Sequence, residues 1–257
     1  MKEDLHVTIV QSNIIWKQKD TNIKNFTKLF LSIRNTDVIL LPEMFNTAFC
    51  IDDIYLAEEM NGKTINWMKS IAKEKKCAIA GTLMIKAEDK IYNRLVWVTK
   101  SGNIYTYDKY HLFSLVNEGK HITKGKNRLI LNLEGWKVCP LICYDLRFPV
   151  FSRNTVDYDL LIYLANWPAK RVNAWNILLK ARSIENQCFT IGVNRVGKDF
   201  FGNNYIGCSG IYDPFGKRMH YIKNKQDITT IILKASQIQK QRKKLNFLRD
   251  RDDFILT

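Results

Sequence analysis

Leu5–Ser12, "LHVTIVQS", alternates apolar and polar positions with a period of two, the pattern of a half-buried strand. Over Thr21–Ile33 the period lengthens. Ile23, Phe26, Leu29, Phe30 and Ile33 share one helical face, so a helix is expected there. "DVILLPE" (37–43) is a short, uninterrupted apolar run ended by proline, which reads as a strand buried on both faces. Ile65, Met68 and Ile71 predict a helix over Thr64–Lys75, and "CAIAGTLMIK" a strand after it. Two hairpins follow, "RLVWVTKSGNIYTYDK" turning at Ser101-Gly102-Asn103 and "RLILNLEGWKVCPLICYD" turning at Glu134-Gly135. Then come a buried strand "YDLLIYLANWP" (158–168), a helix over Asn173–Asn186, a strand "CFTIGVNRVG", a strand pair around Pro214-Phe215-Gly216, and a last strand "DITTIILKA".

Strands and helices thus alternate, with hairpins inserted. The expected class is α/β: central sheets with helices on their outer faces. No repeat, low-complexity tract or linker interrupts the 257 residues, so residues 1–257 are read as one domain. The sequence has no apolar run long enough to span a bilayer and no signal-peptide core near "MKEDLHVTIVQSN", which gives a cytoplasmic, membrane-free expectation. The six cysteines show no CxxC spacing and no histidine at ligand distance. Free thiols are expected rather than disulfides or a metal site.

The formal net charge of +15 raises the possibility of a nucleic-acid partner. Its distribution argues otherwise. Lysines are scattered along the chain, and the one dense run, "QKQRKKLNFLRDRDDF", mixes arginine with aspartate. A lysine-rich solvated surface accounts for the charge.

Three polar residues stand where strands end: Glu43 after "VILLP", Lys109 after "IYTYD" and Cys143 after "VCPLI". In open α/β sheets, sites form beyond the carboxyl ends of strands. A thiol can attack a carbonyl or nitrile carbon, a carboxylate can take its proton, and an ammonium can hold the oxyanion. The Tyr144 N–H, next after the thiol, could add a second donor. Taken singly, each residue has an ordinary reading: a turn carboxylate, a surface lysine, a buried small hydrophobe.

"LLPEMF", "YDKYHLF" and "ICYDLRFPVFSRN" resemble, in order, the three signature segments of the nitrilase superfamily, the carbon–nitrogen hydrolases. "NWP" (166–168), "RSIENQCFTIGVNRVG" and "SGIYDPFGK" are similar to its later blocks. The resemblance implies an αββα sandwich, usually paired as a homodimer. It implies Cys143 as nucleophile, Glu43 as general base and Lys109 as oxyanion stabiliser, with no metal or cofactor. It also implies that Glu118, in "HLFSLVNEGKHITKG", orients Lys109. Asn117 precedes Glu118 where relatives of this type tend to carry glycine. The residues around the cysteine look most like the ω-amidase branch, which acts on 2-oxoglutaramate and related α-keto acid amides. Another small amide or an N-carbamoyl compound is the alternative.

A keto acid amide carries a carboxylate, and Arg147 is the candidate to bind it. The competing reading pairs Arg147 with Asp145 to lock the turn. Trp167, Phe113 and Tyr144 are candidate pocket walls. A helix beginning near Asp145 would place its dipole at the thiol. In the family the tail, here about 236–257, packs across the dimer interface, with Phe247, Leu248 and Phe254 as its candidate anchors.

Overall fold

In the computed structural model, which describes residues 1–255, β1 (Asp4–Gln11) follows its alternation: Leu5, Val7 and Ile9 face one core and Val10 the other. The remaining elements are α1 (Lys19–Phe30), β2 (Val38–Leu40), α2 (Lys63–Lys75), β3 (Ala78–Ala87), β4 (Lys90–Val98), β5 (Ile104–Asp108), β6 (Leu131–Leu133), β7 (Trp136–Ile142), α3 (Pro149–Ser152), β8 (Leu160–Leu164), α4 (Val172–Glu185), β9 (Phe189–Val193), β10 (Val196–Lys198), β11 (Asn204–Tyr212), β12 (Arg218–Lys223), β13 (Asp227–Lys234) and α5 (Ala235–Lys244).

Two mixed sheets form. The first runs β13-β1-β2-β3-β4-β5; the second runs β10-β11-β9-β8-β7-β6, with β12 also on β11. Alternation sorts the side chains of the first sheet. Val38, Leu40, Ala80, Leu95 and Trp97 turn inward to the second sheet, while Ile39, Ile79, Val96 and Val98 turn outward to α1 and α2. Every residue of β8 is buried, as its unbroken apolar run requires. On the far side of the second sheet, α4 brings Trp175 and Leu179 onto Gly192, where a Cβ would lie 2.4 Å from a Leu179 methyl. The result is the expected αββα sandwich.

The topology also sets where polar residues gather. β2 is parallel to β1 and β3, β4 reverses, and β5 returns to the direction of β2. The carboxyl ends of β2 and β5 therefore open on the same edge. In the second sheet β7, β8 and β9 are parallel and end together.

Two expectations are corrected. "CFTIGVNRVG" is two strands, broken at Asn194 and Arg195, because both side chains turn to buried hydrogen bonds. The segment after Cys143 is a five-residue 3-10 turn, Cys143–Arg147, followed by the four-residue α3, so there is no long helix whose dipole could act on the thiol. In the tail, 235–244 is a helix. Its narrow stripe of Ala235, Ile238 and Gln241 is buried against its own chain. Arg242 pairs with Asp159 at 3.0 Å, and Arg251 with Asp157 at 2.7 Å. Leu248, expected as an anchor for a partner, is buried in its own chain, whereas Phe247 is 58% exposed and Phe254 37%. Residues 256 and 257 of that segment lie outside the described residues.

Candidate active site

Glu43 lies just beyond β2, where Leu41 N–H still bonds Ala80 at 2.8 Å. Met44 then takes a left-handed φ of +43° and turns the chain away, its N–H held by Thr82 Oγ1 at 2.8 Å. Lys109 follows β5 directly; its N–H continues the ladder to Asn93 O at 3.0 Å. Its carbonyl accepts from Gly125 N at 2.9 Å. Gly125 comes so close that a Cβ there would lie 2.0 Å from Asp108 O, which only glycine avoids. Cys143 ends β7 with φ at +40°, a conformation that β-carbon residues seldom adopt. The turn exposes the thiol to the cleft between the sheet edges.

These side chains meet in one buried network. Lys109 Nζ donates to Glu43 Oε1 at 2.9 Å and to Glu118 Oε1 and Oε2 at 3.1 and 3.0 Å. Asn93 Nδ2 donates to Glu43 Oε1 at 2.8 Å and to Glu118 Oε1 at 3.3 Å, while its own oxygen accepts from Thr82 Oγ1 at 2.8 Å. Phe113 N–H donates to Glu118 Oε2 at 2.6 Å. Every partner of Glu118 is a donor, so its carboxylate form is the one the hydrogen bonds select. Asn166 N–H donates to Glu43 Oε2 at 2.9 Å, and its side-chain amide to Glu43 O at 2.6 Å, which ties the end of β8 to the end of β2. Cys143 Sγ lies 3.8 Å from Asn166 O.

Burial and the neighbouring Glu43 carboxylate push the Cys143 thiol well above its usual pKa, so it rests protonated. Burial alone would lower Lys109, but the carboxylates of Glu118 and Glu43 more than offset this and keep it an ammonium. Burial, then Glu43, raises the Glu118 pKa from its usual value, against the pull of Lys109. The site therefore pairs a neutral thiol with a carboxylate and a fixed positive charge, the set needed for acyl transfer at a carbonyl carbon.

A cavity of about 300 Å³ opens above the network. Glu43, Lys109 and Cys143 form its floor; Phe113, Tyr144, Arg147, Trp167 and Arg171 contribute its walls, with Phe201 and Val116 toward the outside. The Arg147 guanidinium sits 4.9 Å from the Trp167 ring centre, and that of Arg171 5.0 Å from the Phe113 ring centre. Among the described residues neither arginine has an acidic partner. Asp199 in the same wall is occupied by Asn203 and Tyr205, and Asp52 by His121.

The carbon–nitrogen hydrolase family model matches residues 6–243. The chain belongs to the carbon–nitrogen hydrolase family. It is 41% identical over 215 residues to the omega-amidase YafV of Escherichia coli (strain B / BL21-DE3), covering 83% of each chain. It is 34% identical over 218 residues to the 2-oxoglutaramate amidase of Bacillus subtilis (strain 168), covering 82% of this chain and 83% of that one. The structure superposes with a TM-score of 0.98 on XC1258 from Xanthomonas campestris, a CN-hydrolase superfamily protein with an arsenic adduct in its active site, at 36% identity and full coverage of both chains.

In this carbon–nitrogen hydrolase, all eight residues singled out from the sequence lie in or beside one pocket. Glu43, Lys109, Cys143, Phe113, Tyr144, Arg147 and Trp167 line it, and Glu118 stands behind Lys109. The two readings of Arg147 separate: Asp145 does not pair with it, because Tyr107, His111 and the Ile142 N–H take the Asp145 carboxylate. Sequence reasoning missed Asn93, Asn166 and Arg171. Asn93 left a faint signal, a polar residue on an inward position of an otherwise alternating strand. Arg171 left none apart from its nearness to "NWP".

Proposed function

We propose that this chain is an ω-amidase that hydrolyses the terminal amide of a small α-keto acid amide, 2-oxoglutaramate or 2-oxosuccinamate, to ammonia and the dicarboxylic keto acid. The observation that carries the substrate class is the pair of guanidiniums, Arg147 and Arg171, on the pocket wall without acidic partners. A substrate carboxylate supplies the partner they lack. The names of the Escherichia coli and Bacillus subtilis relatives support the same class.

In this reading the amide end descends to Cys143 while the keto acid end meets the arginines. Glu43 has one donor on Oε2, the Asn166 N–H, which leaves an acceptor position for the thiol proton. Cys143 attacks the amide carbon as Glu43 takes that proton. Lys109 and the Tyr144 N–H hold the oxyanion. Glu43 passes the proton to the departing nitrogen, ammonia leaves, and a thioester remains. Glu43 then activates water, which releases the carboxylic acid and restores the thiol. Glu118, with Asn93, keeps Lys109 aimed. Trp167, Phe113 and Tyr144 wall the acyl chain. We assign the enzyme to the cytoplasm, where the buried free thiols stay reduced, and to a homodimer, for which the exposed Ile177, Ile184 and Phe247 supply apolar surface.

Ammonia release tests this, measured for 2-oxoglutaramate, 2-oxosuccinamate, glutamine, carbamoylputrescine and a simple nitrile. Release from the keto acid amides that disappears in Cys143→Ala is the expected result. Release from the carbamoyl compound or nitrile alone would overturn the substrate class and leave the nucleophile in place. Light scattering after size exclusion checks the dimer.

A further inference from the structure

The carboxylate of Asp145 is fully buried and lies two residues past the nucleophile, yet it does not touch the pocket. Its four hydrogen bonds reach both sheets. Oδ2 accepts from the Ile142 N–H at 3.0 Å and from Tyr107 OH at 2.7 Å. Oδ1 accepts from the His111 N–H at 3.0 Å and contacts His111 Nδ1 at 2.8 Å. Tyr107 OH accepts in turn from the Tyr110 N–H at 3.1 Å. Tyr107 in β5 and Tyr110 and His111 in the loop after it bracket Lys109, and Ile142, the last residue of β7, precedes Cys143. The His111 ring is further fixed by stacking on Phe148, centres 3.7 Å apart and planes within 4°.

We infer that Asp145 is a positioning residue: one buried carboxylate ties the Tyr107 phenol and the His111 backbone and ring, which flank Lys109, to the Ile142 N–H just before Cys143, and so sets the distance between ammonium and thiol. Direct bonds between Lys109 and Cys143 are lacking, since Lys109 is held by Glu43 and Glu118. The clamp also holds Cys143 in its left-handed backbone conformation, because Asp145 bonds back across the turn to Ile142. Only a carboxylate serves. An amide at 145 would present its NH₂ either to the Ile142 N–H or to the His111 N–H, leaving one buried backbone donor without an acceptor in either orientation. The inference rests on Cys143 and Lys109 acting on one carbonyl.

Two rates separate positioning from a merely structural role. Turnover needs both Lys109 and Cys143. Alkylation of Cys143 by iodoacetamide, followed on the Cys143 peptide by mass spectrometry, builds no oxyanion and needs only the thiol and its base. Asp145→Asn is expected to lower kcat by about 100-fold with KM changed less than about threefold, the scale of a small misplacement of reacting groups. Alkylation should slow by no more than about threefold. If kcat stays within about twofold of wild type, or if alkylation falls in step with kcat, the inference is wrong. Should Asp145→Asn not fold, as judged by circular dichroism, the double variant Tyr107→Phe/His111→Leu decides. It removes the Tyr107 hydroxyl and the His111 ring from the clamp, and its kcat should fall about tenfold or more with alkylation preserved; an unchanged kcat overturns the clamp. Cys143→Ala run alongside shows separately whether the nucleophile assignment holds.

Discussion

The floor of the pocket and its mouth are built on opposite plans. On the floor, Glu43, Asn93, Lys109 and Glu118 are all within 1% of complete burial, and their polar tips bond one another. At the mouth, Phe201 is 68% exposed at the tip of the β10–β11 hairpin, with edge contacts to Trp16 and Phe200, and two arginines lie on aromatic rings without acidic partners. Buried charges are tolerable only when mutually paired, so the floor is fixed before substrate arrives. The unpaired charges higher in the cavity stay near solvent, and in the proposed function a substrate carboxylate completes them. Chemistry is preorganised and recognition is left open.

Substitutions can break this contrast in order of size. Cys143→Ala should reduce turnover by at least about 10⁴-fold while the far-UV circular dichroism spectrum stays native. Lys109→Met should lower kcat by about 100-fold or more, and because it strands two buried carboxylates it should also lower Tm. A Lys109 effect confined to KM would move that residue from the chemistry to binding. At the mouth the pattern should reverse. Arg147→Ala or Arg171→Ala should each raise KM for a keto acid amide by roughly 10–100-fold, the worth of a hydrogen bond to a charged group, with kcat within a few-fold. Phe201→Ala should shift KM by about twofold at most, as expected of an exposed side chain.

The pH dependence of kcat sharpens the same contrast. The pKa of Glu118 is raised by burial and by Glu43, so it gains its proton at a higher pH than an ordinary carboxylate, near 4.3. Protonation removes one of the two charges that hold Lys109. The acid limb of kcat should therefore lie at higher pH than an unperturbed glutamate would place it, and fall about tenfold per pH unit. For stability the sign is opposite. A raised carboxyl pKa favours the folded state at low pH and is lost as pH rises through the folded value, so the limb should appear with no matching loss of Tm. Arg171→Ala should leave the limb where it is.

Much of the fold was legible because period-two and helical patterns coincide with single-faced burial. α1, α2 and α4 lie within two or three residues of where periodicity put them. α5 was missed: a helix that buries only Ala235, Ile238 and Gln241 has too thin an apolar stripe to stand out from its charged flanks. At the site, Glu43, Lys109 and Cys143 were visible because reactive residues at strand ends break an apolar run. Glu118 was visible only through resemblance, since a loop acid has no periodic signature. Asn93 and Asn166 work through partners far away in sequence, Glu43 lying 50 residues from the first and 123 from the second. No local pattern records such pairings. Arg171 looked like one more lysine-rich surface charge until the fold set it against Phe113.

The most direct test of the central claim is the mass of the Cys143 peptide after rapid acid quench of enzyme mixed with 2-oxoglutaramate. The account predicts a transient adduct equal to substrate minus ammonia, on Cys143 alone and absent from Cys143→Ala. Ammonia release with no such adduct under single-turnover conditions, or an adduct on another cysteine, would contradict it.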